Sequence, residues 1–225
     1  LVRYMETLLQ EYDFKLLNGV STLIGIDEVG RGALAGPVFT AACGLNQTLF
    51  KDKPSLARTS IMRDSKKMSE KKRMYAFLTL MELKEKGLID YTITSASVEE
   101  IDQRNILGAT LLSMERSLST LIARINKQVD YMILVDGKPL PPSVFPFKHK
   151  AIVGGDDRSL SIAMASILAK VSRDTYMKSL DNRFSGYGFS QNKGYGTKRH
   201  KECVLTKGPC PAHRPLFLRK ILKSV

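Results

Sequence analysis

Hydrophobic and polar positions along the chain alternate between strand-like and helix-like periods. Short apolar runs of strand length occupy residues 22–28 and 37–44, and glycines crowd the turn between them. Three further short runs, at residues 91–95, 131–135 and 151–153, are separated by longer stretches. Strands that first follow each other across a turn and then alternate with helices indicate an α/β domain with a mixed sheet.

Apolar residues spaced three and four apart predict the helices between these strands. The pattern predicts four, over residues 1–18, 69–86, 105–126 and 159–180. In the second of these helices we expect four side chains to face the core: Met74, Phe77, Leu78 and Met81. Beyond residue 184 the chain is punctuated by glycines and contains two short helical stretches, so we divide it into regions 1–184 and 185–225.

The chain is strongly basic, with 35 Lys and Arg against 22 Asp and Glu and a formal charge of +13. This excess favours a polyanionic partner, although general solubility explains the charge equally well. Three cysteines without metal-site spacing indicate reduced thiols. No apolar run approaches the roughly 18 residues of a membrane span, and the acidic, amphipathic start does not resemble a signal peptide. We therefore expect a cytoplasmic protein with no membrane partner.

Acidic side chains stand at the ends of two predicted strands and on one helix. Asp27 and Glu28 close the first strand, and Asp136 closes the strand at 131–135. Lys170 and Asp174 are four residues apart on one face of the last long helix. Taken singly, each has an ordinary alternative: an acid facing water, a turn cap, or a surface ion pair.

Taken together, the four acids suit a divalent metal site. Carboxylate oxygens are ligands for Mg²⁺ or Mn²⁺, and two such ions about 4 Å apart can activate water for phosphodiester hydrolysis. Adjacent strand residues point to opposite faces, so Asp27 and Glu28 serve one site only if the strand bends or stops at Glu28. Sequence alone does not show that the acids meet in space.

Two segments have the composition of nucleic-acid contacts. Lys66 lies just before a predicted helix N-terminus, which favours phosphate. Lys193 and Tyr195 belong to a stretch that interleaves aromatic residues with glycine, suited to stacking beside phosphate-binding groups. An incidental glycine-rich surface loop is the alternative.

The motifs together resemble the ribonuclease HII family, over residues 25–217. The segments that carry the likeness are GIDEVGRGALAGPV, RDSKKMSEKKR, SVEEIDQRNIL, VDG, GGDDRSLSIAMASILAKVSRD, NKGYGTKRH and GPCPAHR. The resemblance implies a ribonuclease H-like mixed β-sheet flanked by helices, with residues 1–184 as catalytic core. It implies a substrate-binding loop and a helical C-terminal region at residues 185–225.

The resemblance also implies an activity and its residues. The expected enzyme is a metal-dependent endonuclease that hydrolyses the RNA strand of RNA–DNA hybrids and cuts on the 5′ side of ribonucleotides embedded in duplex DNA, leaving 5′-phosphate and 3′-hydroxyl ends. It would hold two Mg²⁺ or Mn²⁺ ions and needs no obligate protein partner. The implied catalytic and metal-binding acids are Asp27, Glu28, Asp136 and Asp174.

Substrate contacts are implied as well. The backbone of the G-R-G segment would read the ribonucleotide 2′-hydroxyl, and the tyrosine of K-G-Y-G-T would stack on the following sugar. These residues are Gly30, Arg31, Gly32 and Tyr195, and the expected phosphate contacts are Lys66, Lys170 and Lys193. A ribonuclease HIII-type enzyme is one alternative, disfavoured by Arg31 where that enzyme carries lysine. A non-catalytic hybrid-binding domain is another, disfavoured by the intact acids.

Overall fold

The computed structural model describes residues 5–125 and 129–222 of the chain. Five strands form one mixed sheet in the order β3-β2-β1-β4-β5. The strands are β1 (Thr22–Val29), β2 (Val38–Asn46), β3 (Ile89–Ala96), β4 (Tyr131–Asp136) and β5 (His149–Ile152). The helices are α1 (Leu8–Leu16), α2 (Gln47–Lys51), α3 (Lys53–Arg58), α4 (Glu70–Glu85), α5 (Val98–Ile122), α6 (Leu160–Arg183), α7 (Phe189–Asn192), α8 (Lys198–Lys207) and α9 (Pro215–Leu222). The predicted α/β class with a mixed sheet is confirmed.

Strand direction changes in the middle of the sheet. β1 pairs antiparallel with β2, which pairs antiparallel with β3. On its other side, β1 pairs in parallel with β4, and β4 pairs in parallel with β5. The carboxyl ends of β1, β4 and β5 therefore meet at one edge of the sheet, where sites form in parallel arrangements.

Helix α6 packs closely against β1 because Gly25 has no side chain. A Cβ atom at Gly25 would lie 2.2 Å from the backbone carbon of Ser161, in the first turn of α6. Leu23 and Val29 point to this same face and join the large apolar cluster beneath α6. Ile24 and Ile26 alternate to the other face and pack in a second cluster with α5. Such alternation follows from the two-residue repeat of a strand.

Two features of the helices differ from the sequence-based expectation. The inward face of α4 consists of Ala76, Thr79, Leu80 and Leu83, whereas Met74, Leu78 and Met81 are about 40–50% exposed. The prediction was wrong for Met74, Leu78 and Met81, because both stripes show helical spacing. Phe77, the fourth predicted residue, is partly buried and packs against the core. Helix α5 begins at Val98, with Ser97 as its N-cap, seven residues before the predicted start at residue 105, and its backbone leaves helical geometry at Asn105 (φ 57°). Part of the first predicted helix and the end of the third lie outside the described residues.

Residues 185–222 fold against the end of α6. Phe189 and Val204 pack with Met177 and Leu180 of α6, and with Leu34 and Ala35 from the loop after β1. This C-terminal region therefore contacts the loop that carries the G-R-G segment. Among the described residues, no helix is long and apolar enough to cross a membrane.

Candidate active site

Three acids converge where the parallel strands end. Asp27 lies on β1, Asp136 is the last residue of β4, and Asp156 lies in a 3₁₀ turn (Gly155–Asp157) that follows β5. One carboxylate oxygen of each lies within 4.8 Å of the others. We call Asp27, Asp136 and Asp156 the acid cluster. It is the one group of this kind in residues 5–125 and 129–222.

Hydrogen bonds hold the cluster in shape. The Gly155 amide donates to Oδ1 of Asp136 at 2.7 Å, which ties the turn after β5 to the end of β4. The Glu28 amide donates to Oδ1 of Asp27 at 2.7 Å. Ser166 of α6 also bonds to Asp27 and lies 2.9 Å, oxygen to oxygen, from Ser65. The close approach of α6 to β1 thus brings a polar group onto the buried carboxylate.

The electrostatics of the cluster disfavour negative charge. Burial raises the pKa of Asp27 well above its usual value, and the charges of Glu28 and Asp136 raise it further. Burial and the charge of Asp136 raise the pKa of Asp156 to about 6. Clustered carboxylates of this kind repel each other when ionised and favour a bound cation. Their hard oxygen donors fit Mg²⁺ or Mn²⁺.

Glu28 is adjacent to the cluster along the chain but is not one of the three acids that meet there. β1 continues to Val29, and neighbouring residues of a regular strand point to opposite faces. The strand does not stop at Glu28, so a site shared with Asp27 requires a bend in β1. Oε1 of Glu28 instead accepts a hydrogen bond from Arg31 at 3.0 Å. Its charge nevertheless acts on Asp27.

The structure does not bring Asp174 into the acid cluster. Its carboxylate pairs with Lys170 at 2.8 Å and with Arg73 at 3.5 Å. Ser166, the α6 residue that bonds to Asp27, precedes Asp174 by eight residues, or about 12 Å along the helix axis. The third acid of the cluster is therefore Asp156, which the sequence pattern did not single out.

The three predicted phosphate lysines have different surroundings. Partial burial lowers the pKa of Lys66, but attraction to Asp27 and Asp156 outweighs this and the net shift is upward. Lys170 is mostly buried with its ammonium on Asp174, and burial lowers its pKa. The Lys193 ammonium donates to the Ser190 carbonyl. Only Lys66 interacts with the acid cluster.

Two loops meet beside the cluster and form what we call the reading segments, residues 30–37 and 192–197. The amides of Leu34 and Ala35 donate to the Gly194 carbonyl at 2.8 and 3.3 Å. Buried Arg173 donates to the carbonyls of Ala35, Pro37 and Lys193 at 2.9–3.2 Å. Its guanidinium also lies 5.4 Å from the ring centre of Tyr195. Arg173 therefore links the two segments through hydrogen bonds to both.

Gly30 and Gly32 differ in their surroundings within the first reading segment. Gly30 has φ +96°, and a Cβ there would lie 2.1 Å from Nε of Arg173. Apart from the two chain neighbours, no residue in the described part of the chain would lie within 4 Å of a Cβ at Gly32. The fold thus requires glycine at position 30, whereas the space over Gly32 is open to a ligand.

A second buried arginine supports the same segment from the C-terminal region. Arg214 donates to the carbonyls of Gly36 and Arg31 at 2.8 and 3.0 Å. Its buried Nη2 has no hydrogen-bond partner among residues 5–125 and 129–222. Burial lowers the pKa of Arg214 to about 9, and the charge of Arg173 lowers it too. Neither arginine forms an ion pair with a carboxylate in the described part of the chain.

Comparison with known proteins decides the family of this chain. The family model of ribonuclease HII matches residues 24–220. The chain belongs to the ribonuclease HII family. A ribonuclease HII of Caldanaerobacter subterraneus subsp. tengcongensis is 41% identical over 214 residues, which cover 95% of this chain and 81% of that protein.

Solved structures of low sequence identity share the fold. Ribonuclease H2 from Pyrococcus horikoshii OT3 superposes with a TM-score of 0.68 at 24% identity, over 90% of this chain and 98% of that one. Bst-RNase HIII in complex with Mn²⁺ gives a TM-score of 0.67 at 18% identity, over 92% and 72% of the two chains. The predicted ribonuclease H-like architecture is thereby confirmed, and the ribonuclease HII family identifies the chain as a ribonuclease H, an endonuclease for the RNA of RNA–DNA hybrids.

Proposed function

We propose that this ribonuclease HII cuts duplex DNA on the 5′ side of an embedded ribonucleotide, as well as the RNA strand of hybrids, and that it depends on divalent metal. The observation that carries the proposal is the meeting of Asp27, Asp136 and Asp156 within 4.8 Å. The G-R-G segment begins three residues after Asp27. A cation-binding centre and a segment suited to a sugar thus adjoin.

The proposed metal-binding set is the acid cluster together with Glu28. It retains three of the four acids expected from the sequence and takes Asp156 in place of Asp174. Mg²⁺ or Mn²⁺ bound to these acids would supply an activated water and stabilise the leaving oxygen. The carboxylates hold their positions through β1, β4 and the turn after β5, and Lys66 lies where it can contact a phosphate.

The reading segments are proposed to recognise the ribonucleotide. The 2′-hydroxyl is the group that distinguishes RNA from DNA at one sugar. The open space over Gly32 lets the backbone of residues 30–32 approach that hydroxyl, and the exposed guanidinium of Arg31 stands beside it. Tyr195, partly exposed above Arg173, is proposed to stack on the next sugar. Lys170 and Lys193 remain predicted phosphate contacts.

A labelled duplex with one embedded ribonucleotide tests the proposal. We expect incision on its 5′ side with Mg²⁺ or Mn²⁺, 5′-phosphate and 3′-hydroxyl ends, and no incision with EDTA or on all-DNA duplex. A ribonuclease HIII-type enzyme would cut the continuous hybrid and leave the single ribonucleotide intact. Binding to both duplexes without incision would contradict the proposal and favour a hybrid-binding module.

The proposed setting follows from the same features. The net charge of +13 suits a nucleic-acid duplex, and no protein partner is needed to complete the acid cluster. The cysteines are free thiols, as a reducing compartment would keep them. A cytoplasmic location remains a prediction.

A further inference from the structure

Two buried histidines touch each other behind the reading segments. His200 lies on α8 and is fully buried, and His213 lies in the loop before α9 at 3% exposure. Their Nε2 atoms are 3.1 Å apart, which is a hydrogen-bond distance. Neither residue belongs to the proposed metal site or contacts one of its acids in the structure described.

The surroundings fix one arrangement of protons. Nδ1 of His200 lies 2.9 Å from the Tyr195 carbonyl oxygen, which can only accept, so this nitrogen carries a proton. In a neutral ring, Nε2 of His200 is then an acceptor, and the proton between the rings comes from His213. Nδ1 of His213 is left as an acceptor and receives the Cys210 amide at 3.0 Å. The chain of bonds therefore runs from Cys210 through both rings to Tyr195.

The neighbours of the pair favour its neutral form. Burial lowers the pKa of His200, and burial together with His200 lowers the pKa of His213 to about 4. The titratable groups that touch the pair are Tyr187, whose ring lies 4.9 Å from His213, and the Cys210 thiol. Burial raises the pKa of both, so they are uncharged near pH 7 as well.

The two histidines connect to the two reading segments. At one end His200 holds the main-chain oxygen of Tyr195. At the other, His213 pairs through its backbone with Ala35 in an isolated β-bridge, and the next amide, of Arg214, donates to the Leu34 carbonyl at 2.8 Å. The pair therefore links the segment after G-R-G, through the backbone of His213, to the loop of Tyr195, through the imidazole of His200.

We propose that His200 and His213 act as a neutral hydrogen-bonded pair of positioning residues, which sets the place of the Tyr195 ring relative to the Gly30–Gly32 backbone. The inference rests on the proposed function, in which these two parts contact neighbouring sugars of one strand. A displacement of about 1 Å between them can cost up to about 100-fold in rate. The acid cluster is fixed by other contacts, so the pair governs substrate placement and not metal binding.

Two substitutions at position 200 each break one of the two hydrogen bonds that the His200 ring makes, to Tyr195 and to His213. In His200→Asn, the amide nitrogen can take the place of Nδ1 and keep the bond to Tyr195, while the shorter side chain no longer reaches His213. In His200→Gln, the longer side chain can reach His213 with its oxygen and gives up the bond to Tyr195. The variants have closely related side chains, and each breaks one of the two bonds while it can keep the other.

The readout is kcat/KM on the single-ribonucleotide duplex divided by kcat/KM on a continuous RNA–DNA hybrid. We expect both variants to lower this ratio about tenfold, mainly through KM, because each interrupts the chain of bonds between Tyr195 and His213. A ratio within about twofold of wild type in either variant, at an unchanged melting temperature, would overturn the proposal. A wild-type enzyme that fails to cut the single-ribonucleotide duplex would instead refute the proposed function.

Imidazole ¹⁵N NMR spectra of the wild-type protein test the pair without reference to activity. We expect His200 to be a neutral ring protonated at Nδ1 and His213 to be a neutral ring protonated at Nε2. Two rings of the same tautomer in this pair, or a charged ring in the pair at pH 7, would overturn the proposal even where both variants fail to fold.

Discussion

The acid cluster and the reading segments are unbalanced in charge in opposite directions. Asp27, Asp136 and Asp156 share their space with one nearby ammonium, that of Lys66, so that negative charge is in excess. Beneath the reading segments, Arg173 and Arg214 are buried and bond to carbonyl oxygens, with no carboxylate partner in the described residues. Both arrangements cost free energy, since an unpaired buried charge loses its hydration.

The difference in charge indicates which kind of ligand each region can bind. Excess carboxylate is relieved by divalent cations, and excess guanidinium charge favours a polyanion above it. A nucleic-acid strand with bound metal ions supplies both the cations and the polyanion. The two regions adjoin at residues 27–30, so a phosphate held by the cations would be followed directly by a sugar on the reading segments.

The sharpest way to break this comparison is to remove one acid at a time. We expect Asp27→Asn, Asp136→Asn and Asp156→Asn each to lower the rate by more than about 100-fold, because loss of an outer-shell partner alone costs 10- to 100-fold. Asp174→Asn, whose carboxylate lies outside the cluster, should stay within about tenfold of wild type. Single-turnover incision of the single-ribonucleotide duplex measures both.

The melting temperatures should rank Asp174→Asn and Asp156→Asn in the opposite order from their rates, which provides the control. Asp174 neutralises Arg73 and Lys170, side chains only 12% and 14% exposed, so its loss leaves two poorly solvated cations. Breaking such a pair costs roughly 3–5 kcal/mol. In EDTA, Asp174→Asn should therefore melt lower than wild type and Asp156→Asn should not. An inactive, stable Asp174→Asn variant would restore Asp174 to the catalytic set.

The sequence contained most of the signals for this site. Asp27 and Asp136 were found because each ends an apolar strand, and Asp156 follows the strand at 151–153 in the same way. Asp174 was singled out instead, from the helix face that it shares with Lys170 and from the family resemblance, and that spacing does not distinguish an ion pair from a ligand. The parallel order of β1, β4 and β5 decides between them, and it depends on long-range pairing that periodicity does not contain.

Other features could not be read from the pattern at all. Arg173 and Arg214 lie in segments quoted for their likeness to the family, yet their burial depends on carbonyl oxygens more than 130 residues away in sequence. The contact of His200 with His213 needs α8 and the loop before α9 to fold together. Local sequence indicated which residues could react, and tertiary packing decided which of them meet.

A second test compares two glycines of one reading segment. Gly32→Ala should fold as well as wild type, because no described residue apart from its two chain neighbours lies within 4 Å of the added Cβ. It should still lower incision at the embedded ribonucleotide about 10- to 100-fold, since the methyl group displaces the substrate. Gly30→Ala should be less stable by about 1–3 kcal/mol, because its positive φ disfavours a side chain. Equal melting losses in both would contradict the open space over Gly32.

A third, smaller effect concerns stacking by Tyr195. Tyr195→Ala should lower junction cleavage about tenfold, since stacking of an aromatic ring on one nucleotide contributes roughly 1–3 kcal/mol. Tyr75→Ala, which removes a tyrosine 51% exposed on α4, is the matched control and should leave the rate unchanged. Steady-state kinetics on both substrates gives the comparison. Unaltered junction kinetics in Tyr195→Ala would count against its role.

The smallest effect is the pH dependence of stability in EDTA, which probes the acid cluster alone. Burial, followed by the charge of Asp136, raises the pKa of Asp156 to about 6 from an unfolded value near 3.8. A carboxyl group whose pKa is raised on folding stabilises the fold while protonated, at low pH, and this contribution is lost as pH rises through about 6. The wild-type melting temperature should therefore fall between pH 4 and pH 7 relative to that of Asp156→Asn. Each kcal/mol lost corresponds to roughly 2–4 °C in a protein of this size.

Adding Mn²⁺ at pH 7 should raise the melting temperature of the wild type and leave that of the variant nearly unchanged, because the cation takes the place of the missing proton only where the full cluster binds it. Parallel melting curves for the two proteins across this range would mean that the three carboxylates are not close enough to repel each other, and the proposed metal site would lose its electrostatic basis.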